Sequence, residues 1–271
     1  MSDIEVVARR RGVLEELTDG PVHKRDLTER IDASRSTVDR AVRELADAGL
    51  VERRSGGYAA TLVGRFALER FTEYRRESEK IFANEPAVDP LPANCELPLE
   101  FVTSAETKVA SDPAPYRPMR WVHEQITAAD EFRMVLPVLY DPRFLERCYE
   151  HAVEQGNPTS LVVDEDVLET ANEDFPDQTA EKAACGWFSV KIGQTSSYGL
   201  LLTTCDGETT ATAIVFGASL GPIHSVLSTT DPGPVQWAER RFERAHDAAR
   251  SPDKTPNEAV RERSAADGGQ P

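Results

Sequence analysis

The sequence predicts two folded domains of different class, an α+β domain at the N-terminus followed by an α/β domain. The chain has 271 residues, which is enough for two domains of ordinary size. Its N-terminal segment carries three stretches of helical periodicity and then two strand-like stretches around a pair of glycines. From about residue 99 onward, strand-like and helix-like segments alternate, as they do in sheets covered by helices.

Three helices are predicted in the N-terminal domain. The first has apolar residues at helical spacing and ends at Gly20-Pro21. Its apolar residues are Ile4, Val7, Leu14 and Leu17. The second helix runs from Lys24 to Ile31. Ser34 can cap the third helix, which runs to about Ala48 and stops at Gly49.

The third helix has an apolar face and a polar face, and a hairpin follows it. The apolar stripe consists of Val38, Ala41, Val42 and Leu45. The opposite side carries Arg35, Ser36, Asp39, Arg40 and Arg43. Residues 50–53 are predicted as a strand, 55–57 as a turn and 58–61 as the returning strand. Helix, helix–turn–helix and β-hairpin in this order make a winged helix.

The polar face of this winged helix predicts binding to double-stranded DNA. The third helix is long enough to lie in a major groove, and the hairpin tip can reach phosphates or the minor groove. The predicted contact residues are Arg35, Ser36, Thr37, Asp39, Arg40 and Arg43 of the helix and Arg53 and Arg54 of the hairpin. Arg35 and Arg40 are the candidates for guanine contacts. A solvated helix face would explain single arginines, but not the ordered caps, glycines and hairpin.

The charge distribution supports this interpretation. The whole net charge of −16 lies outside the N-terminal segment, since residues 1–82 contain 16 basic and 16 acidic residues, and residues 83–271 contain 15 and 31. Such asymmetry indicates a module that faces nucleic acid. The basic residues comprise 25 Arg and only 6 Lys. An acidic surface with little lysine is typical of proteins that work in molar salt, so a haloarchaeal source is expected.

The segment from about residue 4 to residue 62 resembles winged helix-turn-helix transcriptional regulators of archaea and bacteria. The resemblance rests on residues 36–53, Ser-Thr-Val-Asp-Arg-Ala-Val-Arg-Glu-Leu-Ala-Asp-Ala-Gly-Leu-Val-Glu-Arg, which span the third helix and enter the hairpin. It implies a DNA-binding regulator and leaves the operator sequence open.

Membrane, secreted and zinc proteins are not predicted. No run approaches the ~18 apolar residues that span a bilayer. The first apolar residues give way at once to Arg9, Arg10 and Arg11, so no signal peptide is expected and the predicted location is the cytoplasm. The cysteines form no CxxC pair and are interpreted as small buried hydrophobes. They are Cys95, Cys148, Cys185 and Cys205.

A fourth helix over residues 64–82 carries a heptad-spaced seam of two heptads, which can pack on its own domain or pair two copies of the chain. The seam consists of Ala67, Phe71, Tyr74, Ser78 and Ile81. A homodimer is favoured, because a palindrome needs two winged helices ~34–36 Å apart. Four prolines between residues 84 and 98 then predict an extended linker. The predicted parts are the winged helix 1–63, the linker helix and Pro-rich linker 64–98, the α/β sensor domain 99–249 and a disordered tail 250–271.

The second domain is predicted from apolar runs and helical stripes. Strands are expected at 132–139, 159–163, 187–192, 198–204 and 209–216, and helices at 141–155, 167–172 and 235–249. The Asp-Gly pair within Cys205–Glu208 predicts a hairpin.

This domain resembles the FilR-type methanogenesis-regulator middle domain of haloarchaeal regulators. The resemblance rests on the order of elements and on the segments Pro118–Trp121, Met134–Pro142 and Thr212–Gly217. The pattern is more distantly similar to phospholipase-D-like sensor domains of sugar-responsive archaeal regulators. Enzymes of that superfamily use a His-x-Lys-x4-Asp motif, which is absent here, since Glu-Gln follows His123 and Ser-Val follows His224. The resemblance therefore implies a binding domain rather than a phosphodiesterase.

One hydrolase-like pattern occurs. Gly217-Ala-Ser-Leu-Gly221 fits Gly-x-Ser-x-Gly, and Asp231 and His246 follow in hydrolase order. Pro222, however, would stand in the first turn of the required helix, and little chain is left for the remaining strands. No P-loop, GxGxxG or HExxH motif occurs. We therefore predict no catalytic residue, cofactor or metal site. A serine hydrolase that uses Ser219, with the winged helix as an interaction module, is the alternative.

The second domain is expected to sense a small ligand or to hold a dimer. The candidate ligand residues are Arg117, Arg120, Trp121, His123, Tyr140 and Tyr198. Arginines near Trp121 could bind an anionic metabolite through bidentate hydrogen bonds. The alternative is a core role for Trp121 and a surface ion pair for Arg120. A general chromatin protein without an effector is the third function considered, and it would bind unrelated DNA with equal affinity.

Overall fold

The computed structural model of the chain describes residues 2–141 and 143–252. It divides into two compact units between Phe82 and Ala83. The first unit consists of α1 (Asp3–Glu16), α2 (Lys24–Arg30), α3 (Arg35–Asp47), β1 (Val51–Arg54), β2 (Gly57–Ala60) and α4 (Leu62–Ala83). This is the predicted winged helix, with β1 and β2 paired antiparallel as the wing.

Local chemistry explains the ends of α3 and the position of the wing. Ser34 caps α3, since its Oγ accepts a hydrogen bond from the backbone N–H of Thr37 at 3.2 Å. Gly49 follows the helix with a φ of +69°, a conformation that favours glycine. Gly57 begins β2 with a φ of +135°, and a Cβ there would lie 2.2 Å from the carbonyl oxygen of Val22. The wing therefore packs directly against the backbone that precedes α2.

The core of the first unit lies between α1, α2, α3 and the wing. It includes Leu14, Leu17, Leu27, Val38, Val42 and Leu45. Ile4, predicted to face inward, is 55% exposed, whereas Val6 and Val7 are buried. The reason is its angular position, since at 100° per residue Ile4 falls outside the face that Val6, Val7, Val13 and Leu14 share.

The helix α4 differs from the predicted linker helix. Leu68 is buried, and Ala67 and Phe71 pack against the core of the winged helix. Tyr74, the next residue of the predicted seam, is 67% exposed. The first half of the seam thus packs within its own domain. The first unit extends to Phe82, whereas the predicted winged helix ended at residue 63.

The predicted extended linker is folded onto the second unit. It contains the short helix α5 (Glu85–Val88), and α6 (Leu99–Ser104) follows. Ala87 is buried in the core, and its carbonyl oxygen accepts a hydrogen bond from Ser225 Oγ. Pro86 stands in the first turn of α5, a position that proline favours, and Pro98 directly precedes α6, so these two prolines stand at helix starts.

The second unit is built on a seven-stranded mixed sheet. Its strands are β3 (Glu106–Val109), β4 (Glu131–Leu136), β5 (Thr159–Val163), β6 (Phe188–Ile192), β7 (Tyr198–Cys205), β8 (Glu208–Phe216) and β9 (Ile223–Thr229). Their order in the sheet is β3-β9-β8-β7-β4-β5-β6. The pairs β4–β5 and β5–β6 are parallel and the others antiparallel.

Helices cover both faces of this sheet. They include α7 (Arg117–Ala128), α8 (Arg143–Tyr149, extended by a wide turn over Glu150–Glu154), α9 (Glu165–Asp174), α10 (Pro176–Ala184) and α11 (Pro232–Ala248). Alternate strand residues enter separate cores. Met134 packs with α7, α8 and α9, whereas Val135 packs with α5, α6 and α11. The α+β and α/β classes predicted from the sequence are confirmed.

Several individual predictions can be compared with the second unit. β5 spans the predicted residues, and Asp206 and Gly207 both have positive φ, as the predicted hairpin turn requires. Strands β3 and β9 were not predicted. Of the predicted tail, Arg250 pairs with Ile192 through backbone hydrogen bonds of 2.9 Å, and residues 253–271 lie outside the described residues. No helix within the described residues is both long and apolar enough to cross a membrane.

Candidate nucleic-acid interface and ligand groove

The predicted DNA-contacting residues are all exposed, six of them on helix α3 and two on the wing strand β1. We call this set of residues the recognition face. It consists of Arg35, Ser36, Thr37, Asp39, Arg40 and Arg43 on α3 and Arg53 and Arg54 on β1, all of them exposed. The opposite side of α3 is fully buried, with Val38 and Leu45 at 0% exposure. Burial of this apolar stripe fixes the rotation of α3 and turns the polar residues outward.

Glu44 links the recognition face to α1. Arg40 Nε donates to Glu44 Oε1 at 3.0 Å, and Arg10 Nε donates to Glu44 Oε2 at 2.9 Å. The hydrogen bonds from Arg10 and then Arg40 lower the pKa of Glu44 to about 2. Because the Glu44 side chain is only 18% exposed, it can anchor the more exposed Arg40 at the helix surface. Sequence analysis missed this contact, although the i, i+4 spacing of Arg40 and Glu44 could have indicated it.

Asp39 is paired before any ligand arrives. Lys24 Nζ donates to Asp39 Oδ1 at 2.7 Å, and this hydrogen bond lowers the pKa of Asp39. Lys24 also lies 5.3 Å from the centre of the Tyr58 ring in the wing. Its charge therefore offsets the one carboxylate of the recognition face and connects α2, α3 and the wing.

The remaining arginines of the recognition face differ in their partners. Arg54 pairs with Glu52 on the same strand. Arg35, Arg43 and Arg53 have no hydrogen bond or ion pair with any described residue. These three arginines therefore need not break an ion pair before they bind a phosphate or a base edge.

The second unit has an arginine-lined groove between α7 and the start of α8. We call it the α7–α8 groove. Its volume is about 490 Å³, and its walls include Tyr116, Met119, Arg120, His123, Arg143 and Arg147. Two of the predicted ligand residues, Arg120 and His123, lie here. Arg143 and Arg147 were not predicted, because they come from a different helix, and only the fold brings them opposite α7.

The other predicted ligand residues lie apart from this groove. Tyr140 lines a narrow apolar cavity of about 20 Å³, and Trp121 lines a separate polar groove beside Ser228. Tyr198 is buried in the core on the opposite face of the sheet, and burial raises its pKa to about 12. Arg117 is exposed on α7 and lines neither of these cavities nor the α7–α8 groove. The six residues therefore do not form one site.

His123 forms a partly buried part of the α7–α8 groove wall, and Asp141 lies behind it, at the neighbouring apolar cavity. His123 Nε2 lies 3.8 Å from Asp141 Oδ2, which is too long for a hydrogen bond, and this nitrogen is buried without a partner among the described residues. Burial lowers the pKa of His123, although Asp141 opposes the effect. Arg143 Nη2 lies 2.9 Å from Asp141 Oδ2, so the carboxylate is already occupied by the guanidinium.

The hydrolase-like segment does not form a nucleophile elbow. Residues Ala218–Leu220 make one short 3-10 turn between β8 and β9, and Gly217 N donates to the carbonyl oxygen of Pro222 at 2.8 Å. The chain thus continues into an antiparallel strand, where a hydrolase has a helix. Asp231 and His246 lie at opposite ends of α11, which separates them by about 22 Å at 1.5 Å per residue. They cannot belong to one triad.

The fold defines the class of this protein, a winged helix followed by a seven-stranded mixed-sheet domain. Residues 2–81 match the family model of the HVO_A0261 N-terminal domain. Residues 115–248 match the family model of the middle domain of the methanogenesis regulatory protein FilR1. The chain is therefore similar to the first family over its first unit and to FilR1 middle domains over most of its second unit. No curated protein sequence matches the chain.

Solved structures give distant matches. The archaeal chromatin protein TrmBL2 is 14% identical, with a TM-score of 0.42 and coverage of 92% of this chain and 98% of that chain. NucT from Helicobacter pylori is 10% identical, with a TM-score of 0.39 and coverage of 54% and 99%. Polyphosphate kinase from Porphyromonas gingivalis is 14% identical, with a TM-score of 0.36 and coverage of 83% and 39%. All three scores lie below 0.5, so these matches carry no functional argument.

Proposed function

We propose that this protein is a sequence-specific, DNA-binding transcriptional regulator of the cytoplasm, without enzymatic activity. The recognition face supports this proposal more than any other feature. It combines a 13-residue helix, on which every predicted contact residue is exposed, with a wing that carries Arg53 and Arg54. A helix of this length can lie in the major groove, where arginine pairs with guanine through two hydrogen bonds.

Arg40 and Arg35 are proposed to read bases, and Arg53 and Arg54 to hold phosphates. Arg40 is held by Glu44 at the middle of α3, so its guanidinium has a defined direction before DNA arrives. The wing arginines extend from a two-stranded hairpin beside the helix. Helix contacts of this kind specify sequence, and hairpin contacts position the domain on the duplex.

The distribution of charge and the family match agree with this proposal. The N-terminal segment is electrically neutral in a chain of net charge −16, so DNA is repelled less by this segment than by the rest. The second domain matches a domain of a protein whose name describes it as regulatory. We infer that it senses a small effector or holds a homodimer. The exposed half of α4, with Tyr74 at 67% exposure, is available for such pairing.

Binding to the DNA upstream of its own coding sequence tests the proposal, with scrambled DNA of the same length as the comparison. Fluorescence anisotropy in molar KCl would be measured for the wild type and for Arg40→Ala. The matched control is Arg70→Ala on α4, because Arg70 is also exposed and also pairs with a carboxylate on its own helix. We expect Arg40→Ala to weaken binding by roughly 1–3 kcal/mol and to relax the preference at one base position.

Other outcomes would overturn the proposal. Equal affinity for upstream and scrambled DNA would identify a general DNA-binding protein without an operator. No binding to either DNA would assign the winged helix to another partner. Equal losses in Arg40→Ala and Arg70→Ala would show that overall charge, rather than the recognition face, governs binding.

A further inference from the structure

The arginines of the second unit are unevenly distributed. Residues 83–252 contain nine arginines, and three of them, Arg120, Arg143 and Arg147, line the α7–α8 groove. Arg143 and Arg147 are one helical turn apart on α8, and Arg120 faces them from α7. These three guanidinium groups come from two different helices and face one groove, so the fold rather than a local charge run brings them together.

Among the described residues, each of these arginines forms an ion pair only with a near neighbour in sequence. Arg120 pairs with Glu124 at 2.7 Å, Arg143 with Asp141 at 2.9 Å and Arg147 with Glu150 at 2.6 Å. The pairs of Arg120 and Arg147 are exposed and contribute little stability, whereas Arg143 pairs with the buried Asp141. A guanidinium has five N–H donors, and one carboxylate neighbour does not use them all. The three side chains can therefore take up a second, external anion at small cost.

Two further observations point to a ligand. The buried Nε2 of His123 has no hydrogen-bond partner among the described residues, and native proteins rarely leave such an atom unpaired. In addition, Asp141 and Arg143 follow the carboxyl end of β4, which pairs with β5 in parallel. Ligands of open α/β sheets bind outside the carboxyl ends of parallel strands.

We propose that the α7–α8 groove binds a small organic anion, with Arg120, Arg143 and Arg147 holding its phosphate or carboxylate group. The groove volume of about 490 Å³ suits a metabolite rather than a single inorganic ion. Tyr116 and Met119 form an apolar wall against which the uncharged part of the molecule would lie. Anion binding in the groove does not depend on the proposed regulator function. Only the idea that the bound anion controls DNA binding rests on that function.

Calorimetric titration of the full chain tests the proposal, at constant ionic strength in molar KCl. Pyrophosphate and citrate are the probes, since they separate a phosphate source from a carboxylate source, and glucose is the uncharged comparison. The test variant is Arg143→Gln combined with Arg147→Gln. The matched control is Arg240→Gln combined with Arg244→Gln, a pair of exposed arginines with the same spacing on α11.

We expect saturable binding of at least one anion to the wild type and to the control. The test variant should bind it at least about tenfold more weakly, since each lost charged hydrogen bond has a substantial effect. Arg120→Gln, from the other wall, should weaken binding in the same direction. If the double variant does not fold by circular dichroism, this single variant decides.

Two results would overturn the proposal: no binding of either anion, or an equal loss of anion binding in the test and control variants. If neither anion binds and the test variant also loses DNA affinity, the groove would be assigned to the DNA backbone. Measuring DNA binding by anisotropy on the same samples separates the two proposals. If the wild type binds DNA but neither anion, only this inference is overturned. If it binds an anion but no DNA, only the regulator function is overturned.

Discussion

Arg40 Nε donates a hydrogen bond of 3.0 Å to Glu44 Oε1, and the other oxygen of the same carboxylate accepts a bond of 2.9 Å from Arg10. One carboxylate thus joins the middle of the recognition face to α1. The exposed arginine gains a preferred direction, and the two helices gain a link that depends on the ionised form of Glu44.

The stability of the winged helix should therefore fall in acid. The pKa of Glu44 is about 2 in the folded chain against an ordinary value of 4.5, so the unfolded chain takes up this proton first as the pH falls. The contribution of Glu44 is fully present above pH 4.5 and is lost as the pH falls towards 2. Urea unfolding between pH 2 and 6, followed by circular dichroism, measures this loss.

Glu44→Gln should flatten that acid dependence, because it removes the carboxylate whose protonation destabilises the fold. The control is Asp47→Asn on the same helix, since the Asp47 side chain has no hydrogen bond or ion pair with any described residue. Equal acid dependence in wild type and Glu44→Gln would contradict the prediction.

The wing should contribute affinity without sequence preference. Arg53 has no carboxylate partner among the described residues, so we expect Arg53→Ala to weaken binding to all duplexes alike. It should also reduce the slope of log affinity against log salt concentration by about 1, as the loss of one phosphate contact does. Anisotropy over a series of KCl concentrations measures both quantities. A change in base preference would mean that Arg53 reads sequence.

The recognition face could be predicted from the sequence because short-range patterns determine it. The stripe from Val38 to Leu45, the cap at Ser34 and the glycine at 49 each lie within one element. Strand β9 was missed for the opposite reason, since Ser225 and Ser228 are buried in it and are satisfied by hydrogen bonds to Ala87 and Thr212. No local pattern shows that such hydroxyls are buried.

Only part of the α7–α8 groove could be predicted from the sequence, for a similar reason. Arg120 and His123 lie on one helix, next to the Trp121 that drew attention to the segment. Arg143 and Arg147 are some twenty residues further along and meet them only through packing of α8 on α7. The composition of a groove made by two helices is set by the fold as a whole.

Two adjacent glycines give a sharp test of wing packing. A Cβ on Gly57 would lie 2.2 Å from the carbonyl oxygen of Val22, whereas one on Gly56 would meet nothing closer than 3.8 Å. Both residues have positive φ, so alanine costs roughly 1–2 kcal/mol at either position. Gly57→Ala should destabilise the chain by clearly more than this, since backbone must move. Equal losses in thermal unfolding of the two variants would contradict the packing described.

Anion binding in the α7–α8 groove should strengthen as the pH falls. His123 faces Asp141 from the loop after β4 and Arg143 and Arg147 from α8, and Glu124 is its neighbour on α7. Burial lowers its pKa, with Asp141 opposing and the two arginines adding to the effect, so the ring is mainly neutral at pH 7. A bound anion favours the imidazolium and raises this pKa, and by linkage protonation then favours the anion.

Sulfate is the probe for this prediction, because its charge is constant between pH 5 and 8. We expect its affinity to rise as the pH falls below the ordinary histidine range, and His123→Asn to remove most of the rise. His246→Asn, a histidine at the end of α11, is the control and should keep it. Calorimetric titration at several pH values measures the effect. If His123→Asn kept the full pH dependence, the proton would belong to another group, and His123 would be only a wall of the groove.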